Sequence, residues 1–159
     1  MRWDLVDQFT VIKKGRFSRA FKNFTGKEDF FADHFSSQPE VPGTLLVEMM
    51  AQAGGILFGV EIDFKKEVIL AKISEVCFPR VALPPCRLDI ETHLEQQSEL
   101  GAWIRGTVKH ADETVAQAEI FLVTMDFLGD KQDQSVVFGE KFFKHYNIKE
   151  ILRMSEVAA

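Results

Sequence analysis

The sequence predicts an α+β domain in which a curled antiparallel sheet wraps around one long central helix. Three observations predict it. Residues 44–58 read as a helix that is apolar on nearly every side, a pattern that requires burial on nearly every side. Residues 87–97, 101–110 and 113–125 alternate apolar and polar positions with a period of two, as strands with one buried face do. Turn-forming residues, Leu83-Pro84-Pro85 and Ser98-Glu99-Leu100-Gly101, punctuate these segments.

The elements follow in order. Residues 4–12 and 16–24 are two extended segments that turn at Lys14-Gly15, a hairpin by composition. Residues 25–43 are irregular and hold Pro39, Pro42 and Gly43. The helix begins near Thr44 and ends near Phe58, with Gly59 as its stop signal. Residues 67–78 are β-rich. Leu88, Ile90, Thr92 and Leu94 then face one way and Asp89, Glu91, His93 and Glu95 the other. Ala102, Ile104, Gly106 and Val108, and then Ala116, Ala118, Ile120 and Leu122, repeat the pattern. Residues 129–135 are polar and loop-like. Residues 139–154 read as one amphipathic helix with Phe142, Phe143, Tyr146, Ile151 and Leu152 on its apolar side. The expected organisation is a core domain over residues 1–128 and an extension, a loop plus a helix, over residues 129–159.

Bulk properties narrow the class. The 159 residues are enough for one real core. With 46% hydrophobic and 27% charged residues, the composition is that of an ordinary globular chain. Fifteen phenylalanines against one tyrosine imply a bulky interior or an apolar pocket. A net charge of −5 argues against a general nucleic-acid binder, which needs a broad basic surface. No apolar run reaches the roughly 20 residues of a membrane span; the longest, residues 41–60, is broken by Pro42, Gly43, Glu48, Gln52 and Gly54-Gly55. No apolar N-terminal run resembles a signal peptide. Cys77 and Cys86 are expected as free thiols in a reduced, cytoplasmic protein.

Within the apolar helix, Glu48 stands out. An unpaired carboxylate is costly there, and the usual escape is a raised pKa, which makes a general acid. The competing expectation is a helix-edge Glu48 that reaches water. Gln52 lies one turn on, on the same face, and can hydrogen-bond it. Gly43 sits at the helix N-terminus, where unbonded N–H groups and the dipole favour an oxygen that gains negative charge. His34 lies in the irregular segment among Phe30, Phe31 and Phe35, which keep it partly dry and available as a base. Asp33, His34, Glu40 and Glu48 lack any compact metal-ligand spacing. Gly54-Gly55 suggests a close approach of the backbone to a strand or a ligand.

The run Phe31-Ala-Asp-His34-Phe35, followed by Pro39-Glu-Val-Pro42-Gly43-Thr-Leu-Leu-Val-Glu48-Met-Met-Ala-Gln52, resembles the signature of the β-hydroxyacyl-acyl carrier protein dehydratases of type II fatty acid synthesis. The resemblance spans about Trp3 to Asp126. Glu48 follows His34 by fourteen positions and Gly43 follows it by nine, as in the family. It implies the hotdog fold. It also implies His34 as the base, Glu48 as the acid, the Gly43 amide as donor to the thioester carbonyl, and Gln52 in support of Glu48. It implies no metal or organic cofactor, an acyl carrier protein partner, and an obligate homodimer with shared sites, open to further assembly. Glutamate rather than aspartate at position 48 resembles the branch that dehydrates without isomerising.

The chain departs from that pattern in places. Ser36-Ser37 stands where the family has Pro-Gly. The turn Phe78-Pro-Arg-Val-Ala-Leu-Pro-Pro-Cys86 lacks the usual glycine and aspartate, and the tail from Gly129 is extra. A divergent paralogue is expected, with every proposed catalytic group kept. The competing expectations are a hotdog acyl thioesterase, in which Glu48 activates water without His34, and a non-catalytic hotdog subunit that binds acyl carrier protein. Lys13, Lys14, Arg16, Arg80 and Arg87 are the expected docking cations.

Overall fold

The structure, a computed structural model, describes residues 4–126 and 140–157. Six strands, β1 (Gln8–Lys13), β2 (Phe17–Phe24), β3 (Glu67–Cys77), β4 (Cys86–Gln97), β5 (Gly101–His110) and β6 (Glu113–Met125), form one sheet in the order β1-β2-β4-β5-β6-β3. Every neighbouring pair is antiparallel. The predicted inward faces are the buried ones, with Leu88, Ile90, Ile104, Val108, Ile120 and Leu122 at most 1% exposed. Thr92 is inward as well, and its hydroxyl is satisfied across the β2–β4 pair by Ser18 Oγ at 2.7 Å. Bulges interrupt the ladders in β1, β3 and β4 and between β5 and β6. Each adds local twist, and together they curl the sheet.

The curl closes around α1 (Gly43–Glu61), which packs against β2 through β6. Its length and mean hydropathy of 1.4 match those of a membrane span, yet 72% of that window is buried inside this fold, as suits a core helix. The helix runs past its expected stop. Gly59 is inside it because the Phe64 ring packs where a side chain would stand: a Cβ added at Gly59 would lie 2.4 Å from that ring. The chain ends the helix instead at Ile62, with Asp63 and Phe64 at positive φ. The Gly54-Gly55 pair has two different explanations. A Cβ at Gly54 would meet Ile104 of β5 at 2.8 Å, so a strand makes the close approach there. A Cβ at Gly55 would meet nothing within 4 Å.

The terminal helix is present in two pieces, α2 (Glu140–His145) and α3 (Ile148–Val157). Asn147, at φ 51°, breaks the predicted single helix in the left-handed conformation that asparagine tolerates. The side chain of Phe142 lies outside the described residues; Tyr146, Ile148 and Ile151 are buried. Helix α3 lies along β1, one edge of the sheet. The outward Ile12 N–H donates to Ser155 Oγ at 3.2 Å, and Lys13 Nζ donates to the Ser155 carbonyl near the helix C-terminus. Among the described residues, no helix lies along the outer side of β3, the other edge.

Candidate active site

The approach to the site begins at Glu28. Its carboxylate accepts the Thr25 and Gly26 N–H groups at 2.9 Å each and the Thr25 hydroxyl at 3.1 Å. Burial pushes the Glu28 carboxyl up, but these donors outweigh it and hold the group below its ordinary 4.5. The bracket starts the 3₁₀ turn Asp29–Ala32, which buries Phe31 against Phe24 and Phe30. A depressed folded value gives stability that is complete above the ordinary value and is lost as pH falls through the folded one. Glu28→Gln is therefore expected to lower the thermal midpoint near neutrality, with the gap to the native chain closing well below pH 4.5. Midpoints recorded across pH test this, and a gap that stays constant would refute it.

His34 follows that turn and is half-buried. Its ring stacks on Phe35, centroids 4.2 Å apart and planes 25° apart. Nδ1 lies 3.4 Å from the Glu40 carbonyl oxygen, and the Glu40 N–H returns a bond to the His34 carbonyl at 3.1 Å. A carbonyl can only accept, so this contact assigns the proton of a neutral ring to Nδ1, the tautomer that leaves the Nε2 lone pair open.

Gly43 opens α1. Leu45 and Leu46 donate to the Pro42 carbonyl to start the helix, and the Gly43 N–H has no hydrogen-bond partner among the described residues. The Phe78 ring covers this residue; a Cβ at Gly43 would lie 3.1 Å from it. Glu48 is half-buried, between the two positions expected for it. Gln52 Nε2 donates to Glu48 Oε1 at 3.0 Å, and Gln52 Oε1 accepts the Leu5 N–H at 3.1 Å. That backbone donor fixes which end of the Gln52 amide faces Glu48.

Within one chain, the structure joins Glu48 to Gln52 but no hydrogen bond or ion pair joins His34 to Glu48 among the described residues. A cleft of about 490 Å³ between Glu61, Lys65, Gln97 and Thr124 lies at the far end of α1, about 27 Å from Gly43 along the axis. It is a separate feature. Four of the expected docking cations are engaged at home. Lys13 bonds Ser155, Lys14 pairs with Asp63 at 2.7 Å, Arg80 with Glu113 at 3.1 Å, and Arg87 with Asp89 at 2.9 Å. Arg16 has no ion pair among the described residues. Sequence reasoning missed the Leu5 amide and the Glu40 carbonyl, because a backbone group leaves no residue-type signal.

Residues 2–119 match the FabA-like domain family. The 3-hydroxyacyl-[acyl-carrier-protein] dehydratase FabZ of Caldicellulosiruptor saccharolyticus is 35% identical over 73% of this chain and 84% of its own length. That of Clostridium kluyveri is 30% identical over 80% and 86%. That of Caldicellulosiruptor bescii reaches 41%, over 57% of this chain and 65% of its own. Among solved structures, the dehydratase heterocomplex ApeI:P from Xenorhabdus doucetiae superposes with a TM-score of 0.65 at 18% identity, covering 79% of this chain and 85% of that one. A hypothetical thioesterase with coenzyme A from Streptococcus pneumoniae gives 0.60 at 8%, covering 74% and 84%. At such identities these two show the hotdog fold alone. The chain belongs to the FabA-like dehydratase family.

Proposed function

We propose that His34 of one copy of this chain and Glu48 of another form a single site that removes water from a 3-hydroxyacyl thioester. Dehydration in fatty acid biosynthesis is the activity of the family; the assignment to residues, and the sharing of the site between copies, rest on the resemblance of the Phe31–Gln52 run to that family and are supported by the geometry of each group. The observation that carries it is the set of three complementary groups. Among the described residues, the His34 Nε2 and the Gly43 N–H at the helix N-terminus have no hydrogen-bond partner, and Glu48 is held by Gln52.

The chemistry needs all three. The His34 Nε2 takes the proton from C2, and negative charge develops on the thioester oxygen. The Gly43 N–H and the positive end of α1 stabilise it. As the C2=C3 double bond forms, Glu48 protonates the departing 3-hydroxyl and water leaves. The proton on His34 then returns to Glu48 through solvent, which resets the site. Gly55 lies on the same helix face as Glu48 and Gln52, so its open space suits the acyl chain.

The substrate in this reading is carried on acyl carrier protein, and the protein is a cytoplasmic homodimer that yields the trans-2-enoyl product without isomerising it. The home ion pairs of Lys14, Arg80 and Arg87 are exposed and are exchanged at little cost for an acidic partner. Turnover of a short 3-hydroxyacyl thioester, or hydration of the trans-2-enoyl thioester, tests the reading. Conversion without thiol release supports it. Thiol release that survives His34→Ala would make the protein a thioesterase, and carrier binding with no turnover would make it a non-catalytic subunit.

A further inference from the structure

The extension beyond the family match has no part in the chemistry above, yet it is tied to the acid. Tyr146 is 3% exposed and packs edge-on against Phe9 with centroids 5.7 Å apart. Its hydroxyl donates to Asp4 Oδ1, and His145 Nε2 lies 2.6 Å from Asp4 Oδ2. Both oxygens of Asp4 are thus held by the last residues of α2 and the bend that follows. The next residue, Leu5, gives its N–H to Gln52 Oε1, and Gln52 gives its own N–H to Glu48 Oε1.

The Asp4–Asp7 segment precedes β1 and has no ladder of its own to fix it. One end is pinned to β2: Asp7 N–H donates to the Phe21 carbonyl at 2.8 Å, and its carboxylate accepts Asn23 N–H at 2.8 Å and Lys22 Nζ at 2.6 Å. The other end is pinned by the Asp4 clamp. The Leu5 amide lies between the two pins; the Leu5 and Val6 side chains stay buried in the core, so losing the clamp loosens the backbone at Asp4 and Leu5 without releasing the segment.

We infer that the end of α2 and the bend after it are a positioning element for Glu48, acting in sequence through Tyr146, Asp4, the Leu5 amide and Gln52. This rests on Glu48 as the acid of the dehydration. Tyr146 and Asp4 touch no substrate. They set the angle at which Gln52 presents its N–H, and that sets the Glu48 carboxyl. The family match covers residues 2–119, so His145 and Tyr146 lie beyond it while Asp4, Leu5, Gln52 and Glu48 lie within it.

The test uses the full-length chain. Tyr146→Phe removes the hydroxyl and keeps the ring on Phe9. It is expected to lower kcat about 10-fold with KM unchanged, short of the 100-fold cost of a full ångström of misplacement. Asp4→Ala is expected to match it. Asp4→Asn keeps a carbonyl acceptor for the phenol and is expected to restore kcat. Ser155→Ala loosens α3 on β1 without touching Asp4 and is expected to leave turnover unchanged. Rates are divided by the folded fraction from near-UV circular dichroism, so simple unfolding does not count. Native kcat in both Tyr146→Phe and Asp4→Ala, or a change confined to KM, would overturn the inference. His34→Ala and Glu48→Ala run alongside. If they are inert while Tyr146→Phe is native, the site stands and this inference falls; if they are fully active, both fall.

Discussion

His34→Ala and Glu48→Ala are each expected to lower turnover by roughly 10²- to 10⁴-fold, the range that one well-placed base or acid supplies. The two losses need not add, because proton removal at C2 and proton delivery at the 3-hydroxyl act on one elimination. The fold should survive both changes. His34 lies in a segment held by backbone bonds of its neighbours and by the Glu28 bracket, and Glu48 is on the less buried face of α1. Glu48→Gln is the finer probe: it keeps a hydrogen-bonding partner for Gln52 but has no acidic proton to give.

The same two variants test whether the site is shared. Each homodimer would be inactive. In a mixed dimer, the His34 of the Glu48→Ala chain meets the Glu48 of the His34→Ala chain. Half of the dimers in an equal mixture are mixed, and each rebuilds one site of two, so co-expression is expected to recover about a quarter of native activity. No recovery from chains that do form mixed dimers would place the whole site within one chain.

Much of this architecture was legible because burial here is one-sided and regular. Strands β4, β5 and β6 each bury alternate residues against α1, so a period of two marked their limits within a residue. Strand β3 showed no such face, and its burial pattern explains why: from Ala71 to Cys77 every residue is exposed on both sides. The Gly59 stop failed because a glycine needed for close packing by Phe64 looks the same in sequence as one needed for a left-handed turn. The break at Asn147 is a local backbone choice that an otherwise continuous apolar periodicity conceals. In the site, the residue types of His34, Gly43, Glu48 and Gln52 were visible. Their supports were not, because the Asp4–Tyr146 bond joins positions 142 apart and the Leu5 and Glu40 contacts use backbone.

Ile73→Asp is expected to abolish turnover from a position that touches no substrate. Strand β3 pairs with β6 on one side only. Ile69, Ile73 and Val76, with Phe78, Val81 and Leu83 just beyond, are each at least 40% exposed. An eleven-residue edge strand with that many apolar side chains is a template for pairing unless something covers it. Among the described residues the β1 edge is covered by α3 and the β3 edge is not, so in the proposed homodimer a second copy of this chain, related by a two-fold axis, is expected at the β3 edge. Ile73 lies near the middle of the strand, and the two-fold brings the pair of substituted side chains towards each other, where like charges oppose pairing. The expected result is a folded monomer, with native circular dichroism and half the native mass by sedimentation. Its turnover should fall to the level of His34→Ala, because the base of one chain no longer reaches the acid of the other. A variant that stays dimeric would move the interface elsewhere. A monomer that keeps native turnover would show that His34 and Glu48 of one chain meet without a partner, and the shared site would have to be abandoned.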